Sequence, residues 1–411
     1  MINLETPKKF NQLISQAHQV AAEVLRPSSR KYDTLEHEYP KELDMLAAAI
    51  DGLNEGGALS GAGAGAVGSN GSSGKAKNAP DGANRNGTNM ASLVGLIEMC
   101  WGDVGLLLAM PRQGLGQAAI AAVANEEQLE RFGGKWAAMA ITEPEAGSDS
   151  AAIRTTAKLD ETTGEYILNG EKIFVTSGDR AELIVVWATL DHSQGRAAIK
   201  SFVVERDNPG LKLDRLEHKL GIRASDTANF VLTDCRVPEE NLLGDPEIAP
   251  KGGFSGVMQT FDNTRPLVAG MAVGVARACL EDTRDHLQSA GIEIDYDRPT
   301  NLQSAAAAEF IAMEADWEAA RLLTLQAAWM ADNRKPNSLQ ASMAKAKAGR
   351  MGTDIALRCV ALCGSTGLGE GELMEKWARD AKILDLFEGT QQIQLLIIAR
   401  QLLGRTSAEL K

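Results

Sequence analysis

After Gly252 the apolar residues recur at helical spacing almost to the end of the chain, in segments near 254–289, 302–332, 337–364 and 372–404. Four helices of that length with short connections predict an antiparallel bundle, because only neighbouring helices can cover each apolar stripe. From about Trp136 to Leu243 the period changes. Runs such as LIVVWATL (183–190) and IKSFVVER (199–206) are continuous or alternating, and glycines separate them, which predicts a mostly antiparallel sheet. Inside it, Asn169-Gly170 divides Tyr166-Ile167-Leu168 from Ile173-Phe174-Val175 and predicts a hairpin. FVLTDCRVP (230–238) predicts a further strand closed by Pro238.

Ahead of the sheet, residues 4–30 read as a helix ended by Pro27, and a second helix is expected from about Pro40 to Leu53. Residues 54–90 are dominated by Gly, Ala, Ser and Asn and predict a loop or linker. Helices return from about Ala91 to Phe132, interrupted by Gly105, Gly114 and Gly116, with 118–134 as one amphipathic helix ending in Gly-Gly. At 411 residues the chain is too long for one simple core. The expected class is α+β, mainly α: an N-terminal helical domain over 1–135, a middle antiparallel β domain over 136–245 and a C-terminal four-helix bundle over 246–411.

A net charge of −13 repels nucleic acid and anionic membrane surfaces, yet leaves room for an anionic cofactor held by local donors. No run of eighteen apolar residues exists, so no membrane span is expected. MINLETPKKF lacks the apolar stretch of a secretory signal, which predicts a cytoplasmic protein. Five cysteines show no zinc spacing, and Cys359 and Cys363 predict a buried thiol pair. Five unclustered histidines argue against a metal centre.

In the stretch DLFEGTQQIQLLIIAR (385–400) one carboxylate, Glu388, sits beside Gly389 and Thr390 between the apolar Phe387 and the apolar Ile393, Leu396 and Ile397. The pattern after Thr390 predicts a helix with Ile393, Leu396 and Ile397 on one side. A carboxylate in apolar surroundings has a raised pKa, which suits a general base near neutral pH; the plainer alternative is an acid favoured at a helix start. ITEPEAGSDSAAIRTTA (141–157) carries Thr142, Gly147 and Ser148, and its hydroxyls suit the edge of a flat heterocycle; alone it would read as a polar turn. In IFVTSG (173–178), Phe174 is placed to stack on a ring and Thr176 to hydrogen-bond it, unless Phe174 is an ordinary core residue. FDNTRPLVAG (261–270) sets Arg265 before Pro266, as a site cation or a surface ion pair.

Together these stretches resemble the acyl-CoA dehydrogenase family. TEPEAGSD is similar to its flavin-binding signature and NGEKIFVTSG to its NGxKxWITNG segment. KLGIRASDTANFVLTDCRVPEENLLG (219–244) and RDAKILDLFEGTQQIQLLIIAR (379–400) resemble two further signatures, so the likeness runs from about residue 90 to the end. The resemblance implies the helix–sheet–helix fold of that family, FAD as cofactor and Glu388 as the base that removes the α-proton of an acyl-CoA. Some members carry the base at the position matched by Thr264, where a hydroxyl cannot serve. Met139, Ile141, Thr142, Gly147, Ser148, Phe174, Val175 and Thr176 match the flavin site. Thr390 and Gln392 match contacts to the adenine half of FAD. Ser148, Asp262, Arg265 and Gly389 match the substrate side.

The expected product is a trans-2-enoyl-CoA, as in fatty acid β-oxidation, with electron-transfer flavoprotein as acceptor; an acyl-CoA oxidase is the alternative. Two departures stand out. SAGIEIDYDRPT (289–300) replaces a run whose arginine reaches a neighbouring subunit's FAD, and Ala361 stands where the family has a glutamine with the same role. A homotetramer with rewired contacts, or a heterotetramer with a related subunit that completes the FAD site, would accommodate both.

Overall fold

A computed structural model of the chain describes residues 6–55, 87–111, 115–248, 255–406 and Glu409, with side chains of the segment after Ser255 described from Thr264 onward. Most of the Gly-rich stretch 54–90 lies outside the described residues. The N-terminal helices are α1 (Asn11–Val20), α2 (Arg26–Thr34), α3 (Glu42–Glu55), α4 (Thr88–Ala109), α5 (Leu115–Val123) and α6 (Glu126–Phe132). Pro27 does not end the first of them. A wide π turn over Ala21–Leu25 joins α1 to α2, and Pro27 enters the first turn of α2. There a missing N–H breaks no regular i→i−4 bond.

Gly105 does not interrupt α4 either. The bend falls at Asp103 (φ −166°, ψ 119°), whose buried carboxylate turns inward to accept from Leu106 N (2.7 Å), Ser29 Oγ and Lys376 Nζ (2.5 Å). Gly116 lies inside α5 because a Cβ there would come within 2.4 Å of the Ala137 backbone. The expected single helix 118–134 is split at Asn125, which forms a reciprocal capping box with Gln128. Among the described residues α4 is long and apolar enough to cross a bilayer, with a mean hydropathy of 1.6 over its most apolar window. However, 89% of that window is buried in this fold, as in a core helix.

The middle region is a seven-stranded sheet of order β1-β4-β2-β3-β7-β6, with β5 beside β4: β1 (Ala137–Ala140), β2 (Thr156–Asp160), β3 (Glu165–Thr176), β4 (Leu183–Thr189), β5 (Ile199–Glu205), β6 (Leu211–Leu216) and β7 (Thr227–Pro238). β4 runs parallel to β1 and β2, and the other pairings are antiparallel. The Asn169-Gly170 hairpin is absent. Residues 165–176 form one strand, and Asn169-Gly170 marks a register shift against β7. Gly170 lies against Thr155, where a Cβ would meet Oγ1 at 2.3 Å, and Asn169 bonds Asp234 on the other side. Strands on both flanks left no room for a turn, so the pair became a bulge.

The C-terminal helices are α7 (Ser255–Ser289), α8 (Ala305–Asp332), α9 (Ser338–Leu368), α10 (Met374–Ala381) and α11 (Gln391–Leu403). The expected fourth helix is thus two, separated by a 3₁₀ turn at Lys382–Asp385 and a short connector. One apolar core runs through α4, α7, α8, α9 and α10, while two others cover the faces of the sheet. Small residues set the closest approaches. Gly349 on α9 admits the carbonyl of Leu384, which a Cβ would meet at 2.6 Å. That contact brings the connector carrying Glu388 against α9.

Candidate active site

Glu388 sits in the connector with φ +53°, followed by Gly389 at φ +95°. Left-handed backbone is uncommon for glutamate and persists only where the surroundings enforce it. Here two fully buried side chains do so. Lys345 Nζ donates to Gly389 O at 2.7 Å, and Gln394 Nε2 donates to Glu388 O at 3.3 Å and Gly389 O at 3.1 Å. A Cβ on Gly389 would meet Gln394 Nε2 at 2.5 Å, so this position requires glycine. Thr390 caps α11, accepting from Ile393 N at 3.4 Å. The cap role therefore belongs to Thr390, and Glu388 is not a helix-start acid.

The Glu388 residue keeps some accessible surface, but its carboxyl lies inside the protein, and Oε2 is buried without a protein partner. Burial pushes the carboxyl above the ordinary glutamate range, against a hydrogen bond from Thr264 and the fields of Lys345 and Arg265. Thr264 thus partners Glu388. Arg265 is buried, not on the surface, and its charge acts on Glu388. The Asp262 side chain lies outside the described residues. On α11 the inward residue is Gln394. Leu396 is 45% exposed, so the expected apolar face is not the one that packs.

A second cluster gathers on the sheet. Residues 143–146 form a tight turn closed by Glu143 N→Ala146 O and Ala146 N→Glu143 O. Two bonds moor this loop to β3: Ile173 N→Thr142 O at 2.9 Å and Lys172 Nζ→Ile141 O at 3.2 Å. Below it lies a buried ion pair, Lys172 Nζ to Glu143 Oε1 at 2.6 Å. The same carboxylate accepts from Arg154 N, Thr155 N and Thr155 Oγ1. These partners, Lys172 foremost, hold Glu143 below the usual carboxylate range despite burial, while burial brings Lys172 down to about 8.

The register shift between Lys172 and Val175 turns Phe174 outward. It is 59% exposed at φ +58°, with its N–H bonded to Asn229 Oδ1 at 3.3 Å, so it is not a core phenylalanine. Thr142 and Thr176 are half-buried, and Gly147 and Ser148 are exposed with open space at Gly147. Ile141 and Val175 point into the sheet's cores, and Met139 on β1 is half-buried. An outward aromatic on a braced backbone, beside hydroxyls and an open glycine, fits a flat heterocycle. Thr390 and Gln392 stand apart from this cluster at the start of α11, with Gln392 exposed.

The loop 219–226 ties the two clusters together. Ile222 N donates to Asp380 Oδ1 at 2.5 Å, Arg379 Nη1 to Leu220 O at 2.9 Å and Ser177 N to Asp226 O at 3.1 Å. Sequence reasoning missed Glu143, Lys172, Lys345 and Gln394. A lysine in the buried register of the Ala/Gly-rich stretch 341–349 was the one available signal. The histidines are also less scattered than expected. His37 and His218 lie against each other with ring centroids 4.8 Å apart and planes inclined at 59°, and Glu36 Oε2 lies 3.0 Å from His218 Nδ1. Candidate ligand atoms of the three lie within 4.8 Å of one another. All five cysteines are buried free thiols.

The family described as "Acyl-CoA dehydrogenase, C-terminal domain" matches residues 251–403, and "Acyl-CoA dehydrogenase, middle domain" matches residues 138–235. The chain is 38% identical over 272 residues to the short-chain specific acyl-CoA dehydrogenase of Rattus norvegicus mitochondria, spanning 66% of this chain and 64% of that protein's length. It is 34% identical over 309 residues to an acyl-CoA dehydrogenase of Bacillus subtilis, covering 74% of this chain and 79% of that one. Its fold matches butyryl-CoA dehydrogenase from Megasphaera elsdenii with a TM-score of 0.81 at 28% identity, over 98% of this chain and 100% of that one.

Proposed function

The chain belongs to the acyl-CoA dehydrogenase family, and from that premise we propose that it catalyses FAD-dependent α,β-dehydrogenation of an acyl-CoA thioester, with Glu388 as the base. The observation that carries this reading is a glutamate held in a left-handed turn, its carboxyl buried and pushed above the ordinary glutamate range. In this reading Glu388 takes the α-proton onto its carboxyl while the C2–C3 double bond forms. Its backbone N–H donates to the thioester oxygen, where charge develops. The bound FAD supplies a two-electron acceptor for the hydride leaving the β-carbon. Phe174 stacks on the ring, and Thr142, Ser148 and Thr176 bond its edge. Thr390 and Gln392 serve its adenine half, and Arg265 and Gly389 border the thioester side.

Partners and setting belong to the same proposal: electron-transfer flavoprotein as acceptor, a cytoplasmic location and a tetramer of like or related chains. Exposed leucines at 357, 368, 402 and 403 on α9 and α11 support association. FAD bound per chain in the isolated oligomer separates the two assemblies, a full complement excluding the heteromer. The test of the activity is anaerobic titration of FAD-loaded protein with straight-chain acyl-CoAs of graded length, followed by flavin absorbance. Wild type is expected to bleach, and Glu388→Gln to keep FAD without bleaching. Normal turnover by Glu388→Gln, or no bleaching of wild type by any acyl-CoA, would overturn the reading.

A further inference from the structure

Lys345 is fully buried on α9, in a register otherwise filled by Ala341, Ala344, Ala348 and Gly349. The small neighbours let its stem cross to the connector. Among the described residues its ammonium is bonded to a carbonyl, Gly389 O at 2.7 Å, and not to a carboxylate. A dry lysine without a directly bonded counter-ion is unfavourable unless something nearby uses its charge. The residue before Gly389 is Glu388, whose carboxyl shares the same pocket.

We propose that Lys345 is a positioning residue for the base: it holds the Glu388–Gly389 turn in its left-handed form and supplies the positive field under which the buried carboxylate ionises. This deepens the proposed dehydrogenase reading and rests on it. Gln394 shares the first task, bonding both carbonyls of the turn, but brings no charge. The groups facing Glu388 are Thr264 and Arg265 from α7 and Lys345 from α9, with Asp385 of the 3₁₀ turn acting on Lys345. Burial lowers Lys345 itself to about 8, and Arg265 pushes the same way. Its field therefore fades as pH rises past that value.

The experiment uses FAD-loaded protein in wild-type, Lys345→Met and Lys345→Gln forms. Lys345→Gln keeps a neutral N–H donor, one bond shorter, and removes the charge. The protonated-carboxyl infrared band of Glu388 is titrated against pH, with Glu388→Gln as the blank, and bleaching by butyryl-CoA is timed across the same range. In both variants the band midpoint is expected to rise by about one pH unit. Bleaching then slows by up to about tenfold on the acid side of the midpoint and recovers at higher pH. Lys345→Met slows further because the turn is also released, while FAD per chain stays constant. An unmoved midpoint in folded Lys345→Gln overturns the proposal. A wild type that never bleaches, with the midpoint still displaced in the variants, overturns the dehydrogenase reading and leaves the positioning role standing.

Discussion

Lys172→Met is expected to destabilise the protein by about 3 kcal/mol at pH 7. Breaking a buried ion pair by removing one partner typically costs ~3–5 kcal/mol, because the remaining charge is left in a dry site. Both partners here are buried, and their contact is 2.6 Å. The low end applies because Glu143 keeps three other donors: Arg154 N, Thr155 N and Thr155 Oγ1. The double variant Glu143→Gln/Lys172→Met removes both charges and should recover most of the loss, giving a coupling of about 2 kcal/mol in a double-mutant cycle. Glu143 is held below the usual carboxylate range in the fold. Its contribution is therefore full above the unfolded glutamate pKa and lost as pH falls through the lower folded value. The gap between wild type and Lys172→Met should be widest near neutrality and shrink below about pH 4. Urea unfolding across pH measures it. Because Lys172 also moors Ile141 O, FAD affinity should weaken alongside. A variant as stable as wild type at pH 7, or a gap that ignores acid, would refute the account.

Gly389→Ala places a Cβ 2.5 Å from Gln394 Nε2 at φ +95°, so the turn should shift. A loss of about 2 kcal/mol in urea unfolding and about a hundredfold in flavin reduction rate is expected. Phe174→Gly relieves a non-glycine residue at φ +58° that is 59% exposed, and should stabilise the apoprotein by up to ~1 kcal/mol while weakening FAD binding, read by fluorescence titration. Together these variants separate strain in the Glu388–Gly389 turn from strain at Phe174 on β3.

The helix–sheet–helix order was legible because hydrophobic period survives in long segments, whereas Glu388 stood out only through the motif around it, since its own neighbours left it balanced between a base and a helix-start acid. What failed was local punctuation overruled by neighbours. Asn169-Gly170 is a strong turn signal, yet β2 and β7 pair on both sides of it and turn it into a bulge. Pro27 should stop a helix, but a π turn just ahead absorbs it. Asp103 bends α4 where Gly105 was expected to, because its carboxylate answers Lys376 and Ser29 far along the chain. Lys345 and Gln394 were hidden for the same reason: a polar residue on a helix reads as solvent-facing until the partner it bonds is placed beside it.

The loop 219–226 shows why such partners lie far apart in sequence. It takes Glu36 from the N-terminal helices through Lys219 N at 2.8 Å, Asp380 from α10 through Ile222 N, and the end of β3 through Asp226. Gly221 must be glycine, since a Cβ would meet the Arg379 carbonyl at 2.5 Å, and Ile222 is held at φ +48°. Asp380 is in turn bonded to Lys376, which also holds Asp103 of α4. A strained eight-residue stretch thus fixes the sheet carrying Phe174 against the helices that support Glu388. The proposed chemistry, in which a base takes a proton from one carbon while a ring accepts the hydride from its neighbour, demands that rigidity, because neither cluster alone controls the distance between them.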